Sequence, residues 1–427
     1  MKHTISQHNL SSGAKGLLVE VPGSQVIDLE VRFNSGYVFG GRDRYETPHV
    51  LEHLLATTSA KYPKSNQFMI EASKNGAYVN AYTTARSNGY TYELAEFELD
   101  RMLDLVEEQL ARPLFTREHL TAELGNVKEE LSRNTTQPAA VCALSLAAAT
   151  QPDQYQYYDD RIDQLADISL VDIQKHFSAT HAAANARFFV GGALRGRSNE
   201  ILERLEKLFR EIPEGQRLQH KASPVKPGLS VVQVKRDINQ LYYRLERQLP
   251  EQSWQNRRAL AVLRSILVGT MGSRILGAAR TRGLAYTVGA ANQTEPGLSV
   301  FSFQGFVTVD NSVDLFELIA DQIQRVAHNG VTADEVAVAT QFMIGSVLRS
   351  TQTVGDVLGW YVDNYDGWEE IKDMQQEIVA LRAVSPDEVQ EAARTLLADG
   401  NFAWSLVGPT KNTLTSTLQQ ALGEWAI

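Results

Sequence analysis

The sequence predicts an α+β protein: two homologous tandem α/β domains, each a mainly antiparallel sheet with helices packed on one face. Three observations carry this expectation. The chain repeats itself at an offset of 216 residues, each half places its strands first and its helices after, and the composition is that of an ordinary globular protein. Offsetting by 216 lays residues 116–120 (TREHL) over 332–336 (TADEV), and Ser169, Gln174, Asn185 and Gly192 over Ser385, Gln390, Asn401 and Gly408. An offset of 213 lays 103–110 (LDLVEEQL) over 316–323 (FELIADQI). The 427 residues are 43% hydrophobic and 22% charged, which excludes a disordered chain or a fibrous rod.

Taken in order, Ile27, Leu29, Val31 and Phe33 alternate with polar residues, as in a half-buried strand. Residues 78–97 read as two strands around a polar turn at 84–89. Helical periodicity follows at 98–111, 116–133 and 169–181, with Thr116 and Ser169 as N-caps, and then a short apolar strand at 186–190. The second half predicts strands at 229–236 and 239–248, a helix from 254 and strands within 284–309. Helices at 311–328 and 333–349 and a last strand at 402–407 complete it. Three prolines and many charges mark 213–228 as a linker, so the domains are 1–212 and 229–427.

Lysine and arginine number 41 against 51 acidic residues, a net charge of −10 that argues against a nucleic-acid partner. The single cysteine, Cys142, cannot form an intramolecular disulfide, which points to a reducing compartment. The first 16 residues lack the apolar core of a secretory signal and the pattern of a transit peptide. No apolar run approaches the ~20 residues of a membrane helix. A cytoplasmic protein without a membrane partner is therefore expected.

The sharpest local signal is His49-Val-Leu-Glu52-His53. Residues four apart share one helical face, so two imidazoles here can hold one zinc. Glu52, at i+3, reaches the same face without having to be a ligand. This is the inverted order of the zinc-protease helix. A catalytic zinc takes three protein ligands and keeps a fourth position open. The helix at 116–133 offers Glu123, Glu129 and Glu130; Glu123 and Glu130 are two turns apart on one face, while Glu129 is rotated about 100° away. His119, His176, His181, His220 and His328 have no second histidine at metal spacing and read as surface or helix-end residues. Cys142 reads as a small core residue.

The HVLEH motif, 76 intervening residues, and the run Glu123-Leu-Gly-Asn-Val127-Lys-Glu-Glu130 resemble the pitrilysin/insulinase metallopeptidases. The similarity is to the short-chain branch of mitochondrial processing peptidase and its bacterial relatives, and it spans essentially the whole chain. The resemblance implies one Zn²⁺ per chain held by His49, His53 and Glu130, Glu52 as general base, and Glu123 as support for a ligand. Gly76 to Thr84 looks like the family's substrate-pairing edge strand, with Asn80, Ala81 and Tyr82 as substrate-binding residues. Arg-Gly-Leu-Ala-Tyr (282–286) looks like the segment whose tyrosine, Tyr286, and nearby arginine hold the substrate carbonyl. The family's arginine position is Ala279 here, so Arg280 or Arg282 takes that role. In the turn after the edge strand, Arg86-Ser-Asn-Gly-Tyr90 replaces the family's acidic-His-Thr type. At an offset of 216, His49, His53 and Glu130 land on Ser265, Gly269 and Ser346, leaving the second half metal-free. The implied function is a zinc-dependent endopeptidase that cleaves peptides or unfolded segments inside a clamshell chamber. Its alternative is a non-catalytic core subunit of the same fold. With two such domains the chain is half a chamber, completed by a homodimer or by a heterodimer with a homologous subunit.

Overall fold

The computed structural model describes residues 1–222, 231–398, 402–409 and 412–423. The first half runs β1 (Thr4–Asn9), β2 (Lys15–Glu20), β3 (Val26–Phe33), α1 (Thr47–Thr57), α2 (Ser65–Ser73), β4 (Tyr78–Thr83) and β5 (Asn88–Ala95). It continues with α3 (Leu99–Ala111), α4 (Arg117–Thr135), α5 (Pro138–Thr150), α6 (Tyr158–Gln164), α7 (Leu170–Thr180), β6 (Ala186–Gly192) and α8 (Ser198–Glu211). The second half runs β7 (Val231–Lys235), β8 (Leu241–Pro250), α9 (Trp254–Val268), α10 (Leu276–Thr281), β9 (Val288–Glu295) and β10 (Leu298–Val307). Then come α11 (Val309–Asn329), α12 (Ala333–Arg349), α13 (Val354–Trp368), α14 (Met374–Arg382), α15 (Pro386–Leu397), β11 (Ala403–Gly408) and α16 (Asn412–Leu422).

The two sheets have one topology. Their orders are β1-β2-β6-β3-β5-β4 and β7-β11-β8-β10-β9, so β2, β6, β3, β5 and β4 correspond to β7, β11, β8, β10 and β9. Each sheet holds a single parallel pair, β2–β6 and β7–β11, and is otherwise antiparallel. Gly192 and Gly408, with φ of 129° and 150°, close the same corner: a Cβ there would lie 2.2 Å from Val26 O and 2.5 Å from Gln240 O. Only glycine fits such a left-handed, crowded position.

Local chemistry explains the helix starts. Thr116 caps α4 by accepting from the His119 amide, and Ser169 opens α7 in a capping box with Asp172. Their counterparts, Thr332 with Glu335 and Ser385 with Glu388, both form capping boxes before α12 and α15. The helices α4–α7 start at 117, 138, 158 and 170, and α12–α15 at 333, 354, 374 and 386, each pair 216 apart. Earlier in each half the offset drifts, because 34–46 joins β3 to α1 while only 251–253 joins β8 to α9. Ser265 and Gly269 are thus not the counterparts of His49 and His53; Gly269 merely caps the end of α9. The helix that does correspond, α9, contains no histidine and no carboxylate.

Each sheet carries its own half's helices on one face, as expected, and takes a helix from the other half on the opposite face. The inner set packs within its own half, but α13 crosses to the first sheet and α5 crosses to the second. Val354, Val357, Leu358, Tyr361 and Tyr365 of α13 bury against Leu17, Val19, Val21 and Phe189. Val141 and Cys142 of α5 bury against Val407, and the Cys142 thiol donates to the Ser405 carbonyl at 3.3 Å. Residues 213–222, read as linker, run along the junction: Arg217 donates to the Asn185 carbonyl at 2.7 Å and to Asp366 at 2.7 Å. The rest of the proposed linker, 223–228, lies outside the described residues. No single helix among the described residues is long and apolar enough to cross a membrane.

Candidate metal centre

The helix α1 sits between the edge strand β4 and the helix α4, and buries Val50, Leu51, Leu54 and Leu55 in the core. That packing fixes which face is left for His49, Glu52 and His53: the face towards α4 and β4. His49, His53 and Glu130 offer one ligand atom each within 4.8 Å of one another. The Nε2 atoms of His49 and His53 lie 3.6 and 3.8 Å from Glu130 Oε2. Bonds of ~2.0–2.2 Å around a tetrahedral zinc place ligand atoms about 3.4 Å apart, so the donor set fits that ion closely. Glu129, on the other face of α4, is exposed, as its rotation requires.

Both imidazoles are held from behind through Nδ1. Glu46 Oε2 receives His49 at 2.9 Å and Glu123 Oε2 receives His53 at 3.0 Å, leaving both Nε2 atoms available to a metal ion. Such carboxylate contacts set ring orientation and raise ligand basicity. Glu123 is steadied by Asn126 at 3.0 Å. Glu46 is steadied by Arg161 Nε at 2.5 Å, and Arg161 also donates to the Tyr37 hydroxyl at 3.0 Å. Glu46, Arg161 and Tyr37 escaped the sequence reading. Glu46 stands three residues before His49 on one helical face, a signal that was present; Arg161, 115 residues further on, gave none.

Electrostatics favour a cation here. Burial lowers the His49 imidazole, but Glu130 and Glu46 outweigh it and carry it up to about 9. Burial likewise lowers His53, and Glu123 and Glu130 carry it to about 10. Hydrogen bonds from both histidines hold the Glu130 carboxyl well below the usual range. Burial pushes Glu46 up, but Arg161 and His49 leave it lowered on balance. Glu52 behaves differently: burial raises it, and the neighbouring histidines and Thr83 offset this only in part. Its Oε2 accepts from Thr83 Oγ1 at 2.8 Å, and Thr83 accepts in turn from Asn88 at 2.6 Å.

A cleft of about 480 Å³ opens over these groups, walled by Tyr37, Met69 and residues 79–83 of β4. Among the described residues strand β4 pairs only with β5, and residues 79–83 of its free edge face the cleft. Asn80 is exposed, Ala81 half-buried, and the Tyr82 hydroxyl is held by Glu30 beneath Arg32. The cleft is lined by the first half alone. Tyr286, 74% exposed, stands away from it. Arg280 donates to the Tyr286 carbonyl at 2.9 Å and stacks 4.4 Å from its ring, and Arg282 caps α10. His176, read as a surface or helix-end residue, is buried inside α7 and reaches the Ser35 carbonyl; His181 does end α7 as its C-cap, and is buried against the Tyr90 hydroxyl.

Two histidines in inverted order, a glutamate one turn after the first, and a distal glutamate on a duplicated α/β scaffold form the kind of donor set that zinc peptidases use. Residues 17–157 match the family described as insulinase (peptidase family M16), and 167–342 match the peptidase M16 inactive domain. The chain belongs to this M16 family. It is similar to a protein named as an uncharacterized zinc protease of Streptomyces coelicolor, 24% identical over 90% of this chain and 86% of that one. A Bacillus subtilis protein with the same kind of name is 22% identical over 96% of this chain and 99% of its own. Among solved structures, a peptidase M16 inactive domain from Pseudomonas fluorescens superposes with a TM-score of 0.86 at 17% identity, covering 96% and 98% of the two chains. A protease from Helicobacter pylori gives 0.83 at 18%, covering 95% and 100%.

Proposed function

We propose that this chain is a zinc-dependent endopeptidase acting on peptides or unfolded segments. The observation that carries the reading is the convergence of three metal-ligand atoms, the buried Glu52 carboxylate and an open strand edge on one cleft. His49, His53 and Glu130 would hold the ion. Zn²⁺ bound there supplies Lewis-acid polarisation of a carbonyl and acidifies water. Strand β4 receives an extended peptide by edge pairing, with main-chain groups of 79–83 as its partners. Glu52 takes the proton from the attacking water and passes it to the leaving amine; burial raises its affinity for that proton, and Thr83 fixes its orientation.

Tyr286 and its arginine do not line this cleft, so in this reading they serve the cleft of a second copy. A two-fold homodimer then has two equivalent sites, each sharing residues of both chains. Glu52→Gln is expected to abolish cleavage of a quenched peptide library while zinc still co-purifies at one per chain; retained activity overturns the assignment. Mixing inactive Glu52→Gln with inactive Tyr286→Phe protein is expected to restore cleavage through one intact site per mixed dimer. A fully active monomer by light scattering overturns the shared site.

A further inference from the structure

Away from the metal cleft, a cavity of about 710 Å³ opens where the two halves meet the segment after α8. Its wall carries five cationic side chains, Lys15, Arg86, Arg187, Arg217 and Lys221, against two carboxylates, Asp366 and Glu369 of the α13 end. This excess of positive charge stands in a protein whose net charge is −10. Both carboxylates are already shared. Glu369 takes Lys15 at 2.7 Å together with Arg187, and Asp366 takes Arg217 at 2.7 Å with Arg32 at 3.8 Å. Arg86 and Lys221 have no ion-pair partner among the described residues.

The donors are also under-used. Arg187 is 1% exposed, yet its Nε has no hydrogen-bond partner, and the buried Nε of Arg86 has none either. A buried polar group left without a partner is costly, most of all on a charged side chain. An anion with several acceptor oxygens is the kind of partner that would satisfy such donors. Guanidinium forks match phosphate oxygens two at a time, and a di- or trianion balances the surplus charge where a single carboxylate does not. The volume also exceeds what one carboxylate fills.

We infer that this cavity binds a small phosphate-bearing anion. Its site is built from the first sheet (Lys15, Arg187), the tip of the β4–β5 turn (Arg86), the junction segment (Arg217, Lys221) and the crossing helix α13. The anion therefore ties both halves together at one point, and binding stabilises the native chain by mass action.

The test is calorimetric titration of inorganic phosphate and of pyrophosphate into the full chain at constant ionic strength, because exposed charges are screened by salt. One saturable site per chain is expected, with a rise in the thermal unfolding temperature that saturates in parallel. Arg86→Gln is expected to weaken binding roughly tenfold, the loss of one charge-assisted bond, and Lys221→Gln by a smaller factor. Zinc content measured before and after titration separates this site from extraction of metal by pyrophosphate. Absence of saturable binding at millimolar phosphate or pyrophosphate overturns the inference. So does unchanged affinity in the Arg86→Gln/Lys221→Gln double variant, whose folding is checked by circular dichroism. Citrate binding as tightly as pyrophosphate overturns the assignment to phosphate.

Discussion

The two halves share a sheet order, side-chain N-caps before equivalent helices and a helix spacing, yet among the described residues only the first presents a group of metal-type donors. At the site itself the difference lies in a few side chains on equivalent elements. α1 presents His49, Glu52 and His53, while α9 presents none of these residue types; α4 presents Glu130 where α12 has Ser346. The cores differ in kind as well. His176 and His181 are buried in the first half where the repeat places Ala392 and Leu397 in the second. The scaffold thus accommodates the donor set without requiring it, and each half buries charges of its own: Glu46 and Arg161 in the first, Glu246 and Glu377 in the second.

The sharpest break of this comparison is at position 130 and its repeat. Glu130→Ala is expected to remove zinc and reduce peptide cleavage by about 10³-fold or more, since the ion loses one of three ligands. Ser346→Ala should change neither by more than about twofold. Zinc content and initial rates of both variants decide it, and a strong effect at Ser346 would break the division between the halves.

The next largest effect concerns stability. Leu358→Ala on the crossing helix α13 is expected to cost about 3 kcal/mol, the usual range for an emptied leucine site. Because each half lends a helix to the other, both should still unfold in one urea transition. Separate transitions for the halves would show that the exchange does not couple them.

Glu46→Gln should weaken zinc binding by roughly 10–100-fold while leaving the three ligands in place, read by chelator competition. An unchanged affinity would mean that the Glu46 contact does not tune the site.

The smallest effect is a pH dependence. Burial lowers His176 from 6.5 to about 4, so the folded state resists its protonation. The stability tied to a neutral His176 is complete above pH 6.5, is lost as pH falls below that value, and levels off near pH 4. By pH 5.5 the loss is about 1.4 kcal/mol. Asp28, raised to about 7 by burial and by neighbouring Glu93, Asp356 and Glu30, acts in the opposite direction. The difference between wild type and His176→Gln cancels that background, and equal pH slopes for the two proteins would contradict the shift.

What was legible in the sequence follows from what is local. The His49–His53 spacing, the Thr116 and Ser169 caps and the alternation in β3 depend on residues within one turn or one strand. The repeat was readable because α4–α7 and α12–α15 keep their spacing without insertions. The charge partner of Glu46 was not readable, since Arg161 arrives from a separate helix. The exchange of α5 and α13 was equally hidden. α5 is apolar on most of its surface, so its pattern cannot say which sheet it covers. The burial of His176 and of the helix-end His181 was hidden for the same reason, because burial at the seam of β3, β5 and α7 is set by packing between distant segments.

The exchanged helices also carry a consequence for how the chain is made. The first sheet is complete once β6 ends at Gly192, but the helix that covers its outer face begins at Val354, about 160 residues later. At ribosomal rates of ~5–20 residues per second this is a delay of roughly 10–30 s. Throughout it, Leu17, Val19, Val21 and Phe189 face water on a nascent chain still tethered to its ribosome. The same arrangement that clasps the finished halves together makes the first of them, while it waits, a natural client for chaperones.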